Sequence, residues 1–214
     1  MLSQAVLSEI LEKKEDVGTL DKKDEKVLIE FSCPNTNKPL HLGHCRNNVL
    51  GDSIARIYKK AGVDVTKRNL INDRGVHICK SMLAYQKFGD NCTPESLNKK
   101  SDHLVGDFYV KFAIEAEKNS NLEKEAQEML VKWEAKDPEV RSLWEKMNGW
   151  AIGGIEETYK KMGISFDCVQ RESETYILGK DIVQDGLNRG VFYKEEKDGS
   201  VWINNEDVGL DKKI

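Results

Sequence analysis

The chain has 214 residues, 39% hydrophobic and 33% charged, with a formal net charge of −4 at pH 7. This fits a globular protein with one sizeable core and a wet surface, and the acidic balance argues against a module whose main task is to grip nucleic acid. No apolar run approaches the ~20 residues of a membrane span and no secretory leader opens the sequence, so a cytoplasmic protein without membrane partners is expected. The five cysteines form no C-x-x-C pair and are odd in number, which argues against a disulfide framework or a structural zinc site. His77-x-Cys79 is the nearest approach to a metal pair, and it lacks partners at ligand spacing.

In chain order, residues 4–15 carry Val6, Ile10 and Leu11 at helical spacing, and the charged stretch 16–26 with Gly18 reads as an exposed connection. Residues 26–32 read as a first strand, with Glu30 as an acid inside an apolar run. An acid there either faces solvent at the strand end or offers a carboxylate to a cationic ligand. A Pro/Asn-rich loop follows, Pro34-Asn35-Thr36-Asn37-Lys38-Pro39-Leu40-His41-Leu42-Gly43-His44. The spacing then predicts a helix over 47–61 that buries Leu50, Ile54, Ile57 and Tyr58, stopped by Gly62. Residues 63–71 read as a second strand, closing a right-handed βαβ unit.

The loop therefore lies between a strand's carboxyl end and a helix's amino end, where open α/β sheets bind ligands. Free N–H groups and the helix dipole make such a place a phosphate seat. His41 and His44, three apart, project to one side at a helix start, and Gly43 permits close approach of a flat ligand.

Residues 72–77 form another strand-to-helix turn on the same edge, followed by a helix over 76–88 and a polar loop over 90–100. Three helices are expected at 101–118, 121–136 and 137–162, the last opened by the N-cap and proline of Asp137-Pro138-Glu139. Trp133, Leu143, Trp144, Met147 and Trp150 read as core, and Gly153-Gly154 as a weak point or bend. A strand over 164–169, a helix over 176–189 and a hairpin around Asp198-Gly199 complete the reading.

The run Glu30-Phe31-Ser32-Cys33-Pro34-Asn35-x-x-Lys38-Pro39-x-His41-x-Gly43-His44-x-Arg46 resembles the HIGH-motif region of class I aminoacyl-tRNA synthetases, and more narrowly that of arginyl-tRNA synthetases. Tyr159, Gly163, Phe166, Asp167, Glu172, Ser173 and Tyr176 match a later segment of the same family. Around Asp73 and Gly75, Arg74 and His77 replace the family's usual tryptophan and glutamine.

The resemblance implies an α/β fold: a Rossmann-like half-domain with a helical insertion. It divides the chain into an N-terminal helix and linker (1–25), the first βαβ part (26–100), the insertion (101–162) and a return to the core (163–214). It implies catalysis by His41 and His44. ATP would be bound by Pro34, Lys38, His41, Gly43 and His44, and arginine by Glu30, Ser32, Asn35 and Asp73. ATP with Mg²⁺, L-arginine and tRNA(Arg) are the implied ligands and partners, acting on a monomer. A lysine loop of the KMSKS type and the segment that reads the guanidinium are not found in these residues. The chain is therefore expected to be a fragment that does not activate arginine by itself. The rival readings are a small nucleotidyltransferase that uses the same H-x-G-H phosphate site and a free-standing nucleotide-binding module.

Overall fold

A computed structural model describes residues 2–196 and 199–203. Helix α1 (Leu2–Lys13) leads to strand β1 (Lys26–Glu30), helix α2 (Leu42–Lys60), strand β2 (Asp64–Ile71) and helix α3 (Val76–Phe88). Helices α4 (Ser101–Lys118), α5 (Asn121–Glu134) and α6 (Pro138–Met162) precede strand β3 (Cys168–Arg171). Helix α7 (Glu172–Asn188) and the antiparallel pair β4 (Phe192–Lys194) and β5 (Val201–Ile203) follow. The chain forms two compact units, Met1–Arg171 and Glu172–Ile214.

In the first unit β1, β2 and β3 make a parallel sheet in that order. Parallel neighbours need long crossovers; α2 makes the first, and α3 to α6 make the second. Burial alternates along β2, with Val65, Lys67, Asn69 and Ile71 turned inward. Ala55 of α2 packs with Val63 and Val65 on the inner face. Ile155 and Tyr159 of α6 pack with Phe31 and Ile164.

The helix after β1 starts at Leu42, five residues before the position that periodicity indicates, so His41, Gly43 and His44 belong to its cap and first turn. Its inner face also differs from expectation. Asn48, Gly51, Asp52 and Ala55 are buried, whereas Leu50, Ile54, Ile57 and Tyr58 are exposed. The cause is a close crossing: an added Cβ at Gly51 would lie 2.3 Å from Phe31 Cγ, so only small side chains fit there. Asp52 accepts from Lys67 Nζ (3.1 Å) and Arg56 Nε (2.6 Å). Burial opposes its charge, but these two bonds outweigh burial and hold its pKa below the ordinary value.

Helices α3 to α6 pack around Met82, Leu104, Val105, Phe112, Ala126 and Trp133, all buried. Trp133 meets Trp144 edge-on at 5.3 Å, and Arg141 stacks on Trp133 at 3.6 Å. This is a packing role, as the stripe suggests. Gly153-Gly154 does not interrupt α6; Asp102 approaches Gly154 so closely that a Cβ would lie 2.5 Å from its Oδ1. The third strand runs 168–171 rather than 164–169. Asp167 Oδ2 takes the Lys67 N–H (2.8 Å) that a longer strand would have paired. In the second unit the hairpin is present, in the register Tyr193 to Trp202. Its predicted turn residue Asp198 and the tail 204–214 lie outside the described residues. Among the described residues no helix is long and apolar enough to cross a membrane.

Candidate functional site

The chain leaves β1 through an unusual turn. Ser32 and Cys33 both have positive φ, 74° and 46°, a left-handed conformation that costs a non-glycine residue roughly 1–2 kcal/mol. Such strain persists only where surroundings hold it. The Cys33 N–H donates to Asn69 Oδ1 (3.1 Å), and Ser32 Oγ lies 2.5 Å from the Tyr159 hydroxyl. Asn69 Nδ2 also donates to that hydroxyl (3.3 Å). The loops after β1 and β2 then run side by side, Asn35 bridging Asn72. Asn72 N–H donates to Pro34 O (2.9 Å) and Thr36 N–H to Asn72 O (3.1 Å). Asn35 is thereby placed at the carboxyl edge of the sheet, half-buried.

The loop ends in a reciprocal histidine cap. His41 is the N-cap of α2, and its Nδ1 accepts from the Gly43 N–H (3.1 Å). His44 Nδ1 accepts from the His41 N–H (3.2 Å). The rings lie 4.0 Å apart, tilted by 44°. An Nδ1 that accepts carries no proton, so both imidazoles are the neutral tautomer with Nε2–H outermost. Burial first, then the neighbouring His41 and Lys38, which disfavour a second positive charge there, lowers the His44 pKa below 6.5. A Cβ at Gly43 would come within 2.9 Å of the His41 ring, so this glycine also makes room for the cap.

The first-turn amides are therefore not all open to a phosphate, as the sequence suggests. Gly43 N–H is held by His41 Nδ1, and the His44 and Cys45 N–H groups both go to the His41 carbonyl. The outward donors are the two Nε2–H groups, with Lys38 nearby. Pro34 and Ser32, earlier in the same loop, are buried.

Glu30 sits exposed at the strand end, 3.4 Å from Arg68 Nε. Asp73 is fully buried, and its carbonyl accepts from Trp144 Nε1 (2.6 Å) and Asn148 Nδ2 (3.4 Å). So His41, Gly43, His44 and Lys38 form one cluster. Ser32 and Asn35 lie at the strand ends, and Asp73 lies inside the turn. Asn69 and the contact of Tyr159 with Ser32 escape sequence reasoning. The available signal is that Asn69 is polar at an inward position of a strand. Among the described residues no group of three His, Cys, Asp or Glu side chains could hold a metal.

A parallel sheet with polar groups gathered at its carboxyl edge is the arrangement in which open α/β domains place a ligand. The family model for the catalytic domain of tRNA synthetases class I (R) matches residues 6–210, and the chain belongs to this family. It is 58% identical over 216 residues to the arginine--tRNA ligase of Treponema denticola, covering 100% of this chain and 36% of that protein. It is 55% identical to that of Bacteroides thetaiotaomicron, covering 88% and 34%. The chain thus spans about a third of the length of these curated relatives. The fold matches Thermus thermophilus arginyl-tRNA synthetase with a TM-score of 0.67 at 23% identity, over 99% of this chain and 35% of that one.

Proposed function

We propose that the chain supplies the HIGH-side half of the active site of an arginine--tRNA ligase, which activates L-arginine with ATP and transfers it to tRNA(Arg). In that reaction an arginine carboxylate oxygen forms a bond to the α-phosphorus, the bond to the bridging oxygen breaks, and pyrophosphate leaves with its electron pair. No protein nucleophile is needed; positioning and charge stabilisation carry the step. The observation that carries this reading is the reciprocal cap, which turns two Nε2–H donors outward beside a helix N-terminus.

On this reading His41 and His44 donate to the phosphates as charge grows on them, with Lys38 adding positive charge. Gly43 and Pro34 shape the floor under the nucleoside. Asn35, Ser32 and Glu30 serve the amino acid, while the enclosed Asp73 shapes the turn. The cluster offers donors and no carboxylates, which suits phosphate oxygens and leaves Mg²⁺ to be carried by the triphosphate. Free cysteines at all five positions suit a reducing compartment such as the cytoplasm.

The test is ATP binding to the chain carrying His41→Ala, His44→Ala or both. Losing one donor to a charged group costs about 1.5–3 kcal/mol, so each single variant should weaken ATP binding by about 10- to 100-fold. The double variant should lose less than the product, since the His44 ring caps the His41 N–H and the His41 ring that of Gly43, so either truncation already loosens the shared first turn. Equal ATP affinity in the parent chain and the double variant overturns the proposal.

A further inference from the structure

The strained Ser32–Cys33 turn is held from two other elements. Asn69 on β2 accepts the Cys33 N–H through Oδ1, so its Nδ2 is left to donate to the Tyr159 oxygen. The Tyr159 oxygen thus receives one bond from Asn69, and its own proton is available to Ser32 Oγ, 2.5 Å away. Burial raises the Tyr159 pKa, so the phenol keeps that proton. Tyr159, Asn69 and Ser32 are all buried. One side of the tyrosine ring borders a cavity of about 340 Å³ lined by Ile71, Ile152, Ile155, Phe166 and Val169 among others. Apolar packing seats the ring among Phe31, Ile155 and Ile164, and the hydroxyl bonds fix where its oxygen points.

We propose that Tyr159 is a positioning residue for the amino-acid pocket. Together with Asn69 it locks Ser32–Cys33 in the left-handed region and so sets where Ser32 and Asn35 stand at the sheet edge. This rests on the reading of the strand ends as the amino-acid pocket. It makes α6, far away in sequence, a determinant of how the amino acid is held, without contact between Tyr159 and the ligand.

The experiment is solution NMR on the 214-residue chain. A residue with φ near +60° brings its own HN and Hα close together, giving a strong intraresidue cross-peak. Ser32 and Cys33 should show it in the parent chain and lose it in Tyr159→Phe. L-arginine binding should weaken by about tenfold, the order expected for losing one buried hydrogen bond, while ATP-induced shifts at His41 and His44 stay the same. Adding Cys33→Gly to Tyr159→Phe should restore most of the L-arginine affinity, because glycine adopts positive φ without support. A purely structural role for the phenol would not be rescued by a glycine in the turn.

Persistence of both cross-peaks in Tyr159→Phe overturns the proposal. If Tyr159→Phe does not fold, Asn69→Ala keeps the tyrosine but removes both the side-chain acceptor of the Cys33 N–H and the amide donor to the Tyr159 hydroxyl, and retained cross-peaks there overturn it equally. If the cross-peaks vanish in Tyr159→Phe while L-arginine affinity is unchanged, the clamp stands and its link to the amino-acid pocket falls. Weakened L-arginine binding without rescue by Cys33→Gly overturns the link from turn geometry to ligand.

Discussion

Replacing Gly51 with alanine sets two effects of opposite sign against each other. In a helix interior glycine is about 1 kcal/mol worse than alanine, so on propensity alone Gly51→Ala stabilises α2. The new methyl would lie 2.3 Å from Phe31 Cγ, 2.5 Å from Cδ1 and 2.7 Å from Cβ. Carbon atoms in contact sit about 3.5–4.0 Å apart, so either the helix or the ring must give by more than an ångström. The clash reaches the Cβ, so rotating the ring does not relieve it. Phe31 is 3% exposed and wedged among Ile155, Tyr159 and Ile164. Overpacking of this kind costs about 1–3 kcal/mol, and the poor relief puts it near the upper end. The net expectation is a loss of about 2 kcal/mol, and a shift of the His41–His44 cap that α2 carries. Urea denaturation at constant m-value measures the first and ATP titration the second. A Gly51→Ala variant that is more stable than the parent refutes the close crossing.

Other substitutions and conditions give further readings. Truncating Asp52 to alanine leaves the buried Lys67 ammonium with Ser165 as its remaining bond. Breaking a buried pair from one side costs about 3–5 kcal/mol, and a loss below ~1 kcal/mol by the same denaturation assay would place the pair in solvent. His44 has its pKa lowered on folding, so the unfolded chain takes up the proton more readily. Stability should be full above pH 6.5 and decline as the pH falls below it; urea denaturation that shows stability rising on acidification through this range contradicts the lowered pKa. Burial pushes the Cys79 thiol up to about 12. In iodoacetamide labelling at pH 8, followed by peptide mass spectrometry, Cys79 should react last among the five cysteines; early labelling of Cys79 means α3 opens.

Elements with strong local signals are legible in the sequence. Helix α3 begins and ends where Gly75 and Gly89 bracket its apolar spacing, and Asp137 caps α6 through bonds to Glu139 and Val140 N–H (3.1 and 3.0 Å). The α2 register is not legible, because periodicity marks Leu50, Ile54, Ile57 and Tyr58 while the close crossing selects Gly51 and Ala55 for the inner face. The start of α2 is missed because histidines are uncommon caps and propensity gives no warning of two rings that take the His41 and Gly43 N–H groups. The H-x-G-H cluster itself is legible from its place between strand and helix. The support beneath it is not, since Ser32, Asn69 and Tyr159 lie up to 127 positions apart in the chain. The resemblance implies Asp73 as an arginine contact, and what the sequence does not show is its enclosure by Trp144 and Asn148, which bond to its carbonyl.

Long-range ¹H–¹⁵N correlation of the histidine rings, with and without ATP, is the most direct probe of the phosphate site. His41 and His44 should both show the Nε2–H tautomer near pH 7.5, and their Nε2 resonances should shift on adding ATP while Nδ1 stays hydrogen-bonded to backbone. Protons on Nδ1, or Nε2 resonances indifferent to ATP, would contradict the reciprocal cap as the device that aims these histidines at phosphate.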